Sequence, residues 1–163
     1  MLAPMISAQE LWVESYQGEV LGEAFFGWMA DHEHEPEHKH QLEVLTQLET
    51  ATKQLAEPLF ERRGYERGDS EATAENGRQL AAASAEASWE DVMSAILPVT
   101  EVFLAKYHEL VELAVDDAER DVALAYVAHE EALAAFARRS IGREDGEPLQ
   151  LVLALPHVAA ARA

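Results

Sequence analysis

The chain has 163 residues, of which 48% are apolar and 7% are aromatic. This length and composition suit a single domain, residues 1–163, with enough apolar side chains to form a core. The 31 acidic and 12 basic residues give a formal net charge of −19. Such a charge argues against binding to nucleic acid or to anionic lipid, because both are themselves negatively charged.

The sequence offers no sign of export or of membrane insertion. No apolar run approaches the roughly 20 residues that cross a bilayer, and residues 1–5 lack the basic and apolar regions of a signal peptide. Cysteine is absent, so the sequence provides neither disulfides nor thiolate ligands, as is common in a reducing compartment. We therefore expect a cytoplasmic protein without a membrane segment.

Four long helices are predicted from capping residues and from apolar side chains that recur at helical spacing. The first follows Ser7, a good N-cap with Glu10 three residues later, and the second stops at Gly64. The predicted helices cover about residues 8–30, 37–63, 89–115 and 118–141.

The remaining segments connect or follow these helices. Residues 64–88 are a long crossover, in which the alanine-rich stretch 76–87 could form an extra short helix. The tail, residues 142–163, is apolar in part and is expected to pack along the helices. Two short-looped helix pairs joined by a long crossover predict an all-α four-helix bundle. This arrangement is that of ferritin-like bundles, although the helix count also fits other four-helix bundles.

Two glutamates interrupt the apolar face of the first helix. Glu19 and Glu23 fall on the side that carries Trp12, Tyr16 and Phe26. Carboxylates in such surroundings need a cation, a proton or strong hydrogen bonds. The alternative is that one of them lies at the edge of the face and reaches water.

Three more residues on the other helices are candidate partners for these acids: His129, Glu49 and Glu101. His129 lies in the centre of the apolar stripe of the fourth helix, either as a hydrogen-bonded core residue or as a ligand, and Glu130 borders the same stripe. Glu49 lies beside the stripe of the second helix, and Glu101 lies at the margin of the third. Each of these last two could turn inward or face solvent.

Two segments resemble the ferritin-like superfamily, in particular its rubrerythrin-type members. Residues 18–26, GEVLGEAFF, look like the first helix of that family, and residues 125–133, AYVAHEEAL, look like its last helix. The likeness covers most of residues 8–141. It implies a four-helix bundle with a dinuclear site, built from one glutamate on each of two helices and Glu-x-x-His on each of the others.

Carried over by position, the resemblance implies Glu19, Glu49 and Glu101 as carboxylate ligands. His129 stands at the carboxylate position of the fourth helix, while Thr52 and Ala132 stand at the two histidine positions. The implied ligand set is therefore incomplete or rearranged.

The metal hypothesis has several forms that the sequence leaves open. The candidate ligands are Glu19, Glu23, Glu49, Glu101 and His129. A complete dinuclear iron or manganese site would need all four carboxylates to turn inward; a mononuclear site is equally compatible. A metal-free core is a third form, with His129 protonated and paired with Glu19 or Glu23. The first two forms predict an oxidoreductase or metal-handling role, and no substrate or reaction is indicated.

The second hypothesis is a non-catalytic helical bundle that acts through self-association or a protein partner. Leu21, Phe25 and Trp28 give the first helix a second apolar face. A helix that is apolar on two sides is usually buried on both, so this face predicts a homodimer.

Overall fold

The computed structural model describes residues 6–163, and over these residues the chain forms seven helices and no strand. The expectation about a signal peptide at residues 1–5 lies outside the described residues. The helices are α1 (Ala8–His32), α2 (Pro36–Arg63), α3 (Ser70–Ala83), α4 (Trp89–Leu113), α5 (Asp117–Ser140), α6 (Gln150–Ala154) and α7 (Pro156–Ala161).

The boundaries of the long helices follow from local chemistry. Ser7 and Glu10 form a reciprocal capping box at the start of α1. Pro36 occupies the first turn of α2, and Gly64 ends that helix in the left-handed conformation, with φ of 66°. The four predicted long helices agree with α1, α2, α4 and α5 to within two residues at each end.

The four long helices pack as two pairs, and the two pairs pack against each other. Helix α1 packs on α2, and α4 packs on α5; the pairs meet where α1 contacts α4 and where α2 contacts α5. The all-α prediction is confirmed for the described residues. No helix in residues 6–163 combines the length and the apolar character needed to cross a membrane.

The crossover contains a helix that begins earlier than the alanine-rich stretch suggests. Helix α3 packs along α1, and its Gly77 lies so close that an added Cβ would be 2.6 Å from the Leu21 carbonyl oxygen and 3.3 Å from the Phe25 nitrogen. Leu21, Phe25 and Trp28 are all partly buried. Intramolecular packing by α3 therefore covers part of the face on which the homodimer prediction rests, because α3 meets the backbone beside Leu21 and Phe25. The homodimer itself stays a prediction.

The tail packs on the long helices through short helices. Helix α6 contacts α5, and α7 contacts α2. Val152, Leu155 and Val158 are buried in the core.

The core consists of two apolar clusters with polar residues between them. Along α1, one cluster extends to Val20 and the other begins at Phe26. Along α5, the corresponding limits are Val127 and Ala132. The buried side chains between the clusters, which we call the polar layer, are Glu19, Glu49, Thr52, Thr100, His129 and Glu130.

Candidate metal centre

The polar layer brings ionisable side chains from three helices together. Glu19 comes from α1, Glu49 from α2, and His129 and Glu130 from α5; each is at most 4% exposed. One potential ligand atom from each of Glu19, Glu49 and His129 lies within 4.8 Å of the others, which makes these three a group able to hold a metal ion.

Glu19 has one satisfied oxygen and one unsatisfied oxygen. The Tyr107 hydroxyl donates a hydrogen bond of 2.8 Å to Glu19 Oε1. Glu19 Oε2 is buried without a hydrogen-bond partner and lies 3.2 Å from His129 Nδ1. Leaving a buried carboxylate oxygen unpaired is costly, so this atom is the strongest indication that the layer has a further partner.

His129 lies at the centre of the layer. Its Nε2 is 3.6 Å from Glu49 Oε1 and 3.7 Å from Glu130 Oε2. On the other side of the ring, Nδ1 is 2.8 Å from Thr52 Oγ1. The same hydroxyl is 2.8 Å from Nε2 of His157, which lies on α7, so the tail reaches the site through Thr52.

A glycine on α1 makes room for the Glu49 carboxylate. An added Cβ at Gly22 would lie 2.5 Å from Glu49 Cδ and within 2.8 Å of both carboxylate oxygens. The missing side chain at residue 22 therefore allows a charged group from α2 to lie directly against the backbone of α1.

The layer holds excess negative charge. Burial raises the pKa of Glu49 and of Glu130 to about 8, and burial raises that of Glu19 well above its usual range although His129 opposes the shift. Within residues 6–163, the ion pairs of these three carboxylates involve His129 alone, without any lysine or arginine. The arrangement therefore requires bound protons or a cation.

The pKa of His157 shifts in the opposite direction. Burial, aided by nearby His129, lowers its pKa to about 4. Its imidazole is therefore neutral near pH 7 and can accept a hydrogen bond from Thr52.

Glu119 shows how the same protein satisfies a buried carboxylate elsewhere. Its side chain on α5 is only 2% exposed. The Trp12 indole N–H donates to Oε1 at 3.1 Å, and the Arg63 guanidinium donates to Oε2 at 2.7 Å. These two donors explain its burial, and neither kind of donor is found around Glu19 Oε2.

The structure assembles three of the five predicted ligands and places the other two elsewhere. Glu23 binds Lys53 at 2.9 Å and accepts a hydrogen bond from Thr50, because one turn along α1 brings it to the edge that faces α2. Glu101 is exposed on α4, where its neighbour Thr100 takes the inward position. Neither Glu23 nor Glu101 belongs to the group formed by the other three.

Four residues of the site were not predicted as ligands or partners. Thr52 was noted only at a position where the resemblance implies a histidine, Glu130 was placed only at the border of a stripe, and Tyr107 was not named as a candidate. His157 lies in a tail too short and irregular to show helical periodicity, so its position could not be inferred from spacing.

Comparison of the chain with protein-family models, curated proteins and solved structures gives no match. The ferritin-like resemblance consequently remains a prediction, and the geometry of the polar layer carries the functional conclusion.

Proposed function

We propose that this protein binds one divalent iron or manganese ion between Glu19, Glu49 and His129, as a ferritin-like protein with a rearranged ligand set. Its role would be in metal handling or in oxidation and reduction. The observation that carries the proposal is the buried, unpartnered Oε2 of Glu19, which points into a group containing a second carboxylate and an imidazole.

The separation of His129 from Glu49 fits coordination to a shared ion better than a direct hydrogen bond. The 3.6 Å between His129 Nε2 and Glu49 Oε1 exceeds a normal hydrogen bond. Two ligand atoms that are each about 2.1 Å from one ion at tetrahedral angles lie roughly 3.4 Å apart. Small side-chain adjustments would therefore bring both atoms onto a shared cation.

Charge supports a cation of at least two positive charges. Glu19, Glu49 and Glu130 contribute three negative charges when ionised, and His129 is neutral when it acts as a ligand. A divalent ion leaves one negative charge in the layer, which a proton on Glu130 would neutralise. A set of one nitrogen and several carboxylate oxygens is more typical of iron or manganese than of copper.

Thr52 and His157 are suited to orient the imidazole. A metal on Nε2 of His129 would leave the ring proton on Nδ1, which lies 2.8 Å from Thr52 Oγ1 and 3.2 Å from Glu19 Oε2 and can donate to Thr52. The Thr52 proton in turn goes to Nε2 of neutral His157. Such outer hydrogen bonds fix the orientation and tautomer of histidine ligands in metal sites.

The test is elemental analysis of untagged protein, followed by loading of metal-free protein with Mn²⁺ or Fe²⁺ under anaerobic conditions. We expect about one ion per chain, and an affinity at least about tenfold weaker in Glu19→Gln and Glu49→Gln, which keep the shape of the side chain. Circular dichroism establishes that each variant is folded.

Glu23→Gln and Glu101→Gln are the matched controls. Both change a glutamate that was a candidate ligand in the sequence, but the structure places both outside the group, so both variants should bind metal as the parent does. Protein that can be loaded with neither ion would contradict the proposal. So would equal metal affinity in the parent, Glu19→Gln and Glu49→Gln.

A metal-free result would favour the second candidate, a structural scaffold in which the layer is held together by protons. The raised pKa values of Glu49 and Glu130 support that candidate. In it, Glu19→Gln would increase the free energy of unfolding, since an amide needs no proton to remain neutral.

A further inference from the structure

A cavity of about 280 Å³ leads from the surface to the polar layer. Its lining comes mainly from α1 and α4, with α3 packed on α1 beside it. Leu80 of α3 and Val99 of α4 line the outer end, and each is 52% exposed. The buried carboxyl groups of Glu19, Glu49 and Glu130 line the inner end.

The wall between these ends is almost entirely apolar. It is formed by aliphatic and aromatic side chains such as Phe25, Ile96, Phe103 and Leu133. Gly18 and Gly22 of α1 also line it. A Cβ at Gly18 would lie 2.5 Å from the Phe103 ring, so a side chain there would push that ring out of place and change the shape of the cavity.

These features define the chemistry of a ligand. An apolar wall favours a hydrocarbon body through the removal of apolar surface from water. The carboxyl groups at the inner end disfavour an anionic head. A volume roughly twice that of the ~150 Å³ cavity that admits benzene gives room for a molecule of on the order of twelve carbon atoms.

We infer that this cavity binds a mainly apolar small molecule without a negative charge, whose polar end faces Glu19, Glu49 and Glu130. Glu19, Glu49 and Glu130 line the closed end of the cavity, so a carboxyl group there can form the hydrogen bond of the polar end. Binding of the apolar body does not require the metal. The further step, that the bound molecule is presented to a metal ion, rests on the proposed function.

The experiment measures binding of 1-octanol, octanoate and octylamine by titration calorimetry at pH 6.5. Metal-free and Mn²⁺-treated protein are titrated separately. We expect about one 1-octanol per chain in both states, bound at least about tenfold more tightly than octanoate, and octylamine bound more tightly than octanoate by the metal-free protein.

Val99→Trp tests the location, since an indole at the outer end would block the entrance. We expect an affinity for 1-octanol about tenfold lower or weaker still. Val102→Trp is the matched control, because Val102 is on the same helix, is 56% exposed and does not line the cavity. It should bind 1-octanol within about twofold of the parent. Leu80→Trp repeats the test from α3.

The outcomes separate this inference from the metal proposal. Absence of 1-octanol binding, or equal losses in Val99→Trp and Val102→Trp, would overturn the cavity site even if the protein binds Mn²⁺. Binding of octanoate as tight as that of 1-octanol, or tighter, would overturn the ligand class. Binding of 1-octanol that is blocked by Val99→Trp would support the cavity site even if no metal can be loaded.

Discussion

At the scale of single residues, Gly22 sets how closely the Glu49 carboxylate approaches α1. Replacing Gly22 by alanine should weaken Mn²⁺ binding by about tenfold or more, because the new Cβ would overlap the carboxylate and displace it. Equilibrium titration with Mn²⁺ measures this effect.

The same helix provides a control for the backbone effect of that substitution. A Cβ at Gly27 would meet only Thr46 Cγ2, at an ordinary 3.7 Å. Gly27→Ala should therefore raise the free energy of unfolding by about 0.5–1 kcal/mol, as expected for alanine in a helix, and leave metal binding unchanged. If both variants bound Mn²⁺ like the parent, the close approach of Glu49 to Gly22 would not matter for metal binding.

The Thr52 hydroxyl lies within hydrogen-bond distance of two histidines. Thr52→Val keeps the shape of the side chain but leaves His129 Nδ1 and His157 Nε2 without their shared partner. Because both groups are largely buried, we expect the free energy of unfolding to fall by about 1–3 kcal/mol, measured by urea denaturation.

Thr46→Val is the control for Thr52→Val. Among residues 6–163, the Thr46 hydroxyl donates only to the Leu42 carbonyl oxygen of its own helix, so its loss should cost less than about 1 kcal/mol. A cost for Thr52→Val no larger than that for Thr46→Val would argue against the role of the histidine pair.

Some residues of the site could be identified from the sequence, and others could not. Helical spacing identified Glu19 and His129, because each interrupts an apolar stripe. It could not decide for Glu23, which interrupts the same face as Glu19, or for Glu49, which borders a stripe, because the outcome depends on a lysine and a glycine on facing helices. The position of His157 depends on how the tail folds back, which no local sequence pattern indicates.

At the scale of helices, the tail contributes both packing and a site residue. Leu155, between α6 and α7, is 9% exposed and belongs to the core, whereas Leu153 is 37% exposed. Leu155→Ala should lower the free energy of unfolding by about 2 kcal/mol or more, as for other buried leucines.

Leu153→Ala is the matched control and should change the free energy of unfolding by no more than about 0.5 kcal/mol. Urea denaturation of the two variants compares them directly. Equal effects would show that the tail adds little to the stability of the core.

The helices themselves could be predicted well because caps and periodicity are local. The position of α3 could not, since its packing depends on Gly77 meeting the α1 backbone. For that reason the second apolar face of α1 suggested a dimer, although part of the face has a partner within the chain.

At the scale of the whole molecule, the layer makes stability depend on pH. Glu49 and Glu130 have a pKa of about 8 when folded and near 4.5 when exposed. Between pH 6.5 and 8 the folded, metal-free protein thus holds protons that the unfolded chain has lost. Its free energy of unfolding should fall as the pH rises, on the order of 1 kcal/mol per pH unit for each group.

His157 does not change how the free energy of unfolding depends on pH between pH 6.5 and 8. Its folded pKa of about 4 lies below its usual 6.5, so its opposing contribution grows only up to about pH 6.5 and is then constant. Urea denaturation at several pH values checks the prediction, with Glu49→Gln expected to show a weaker dependence. A stability that rises from pH 6.5 to 8 would contradict it.

The position of the polar layer between two apolar clusters has a consequence for folding. Sliding one long helix by a single turn, about 5.4 Å, would move Glu19, Glu49 or His129 among leucines and aromatic rings without a polar partner. Such a shift is costly, so misaligned packings of the same four helices are penalised. The layer that holds the candidate site thereby also specifies the register of the fold, much as a buried polar residue does in a coiled coil.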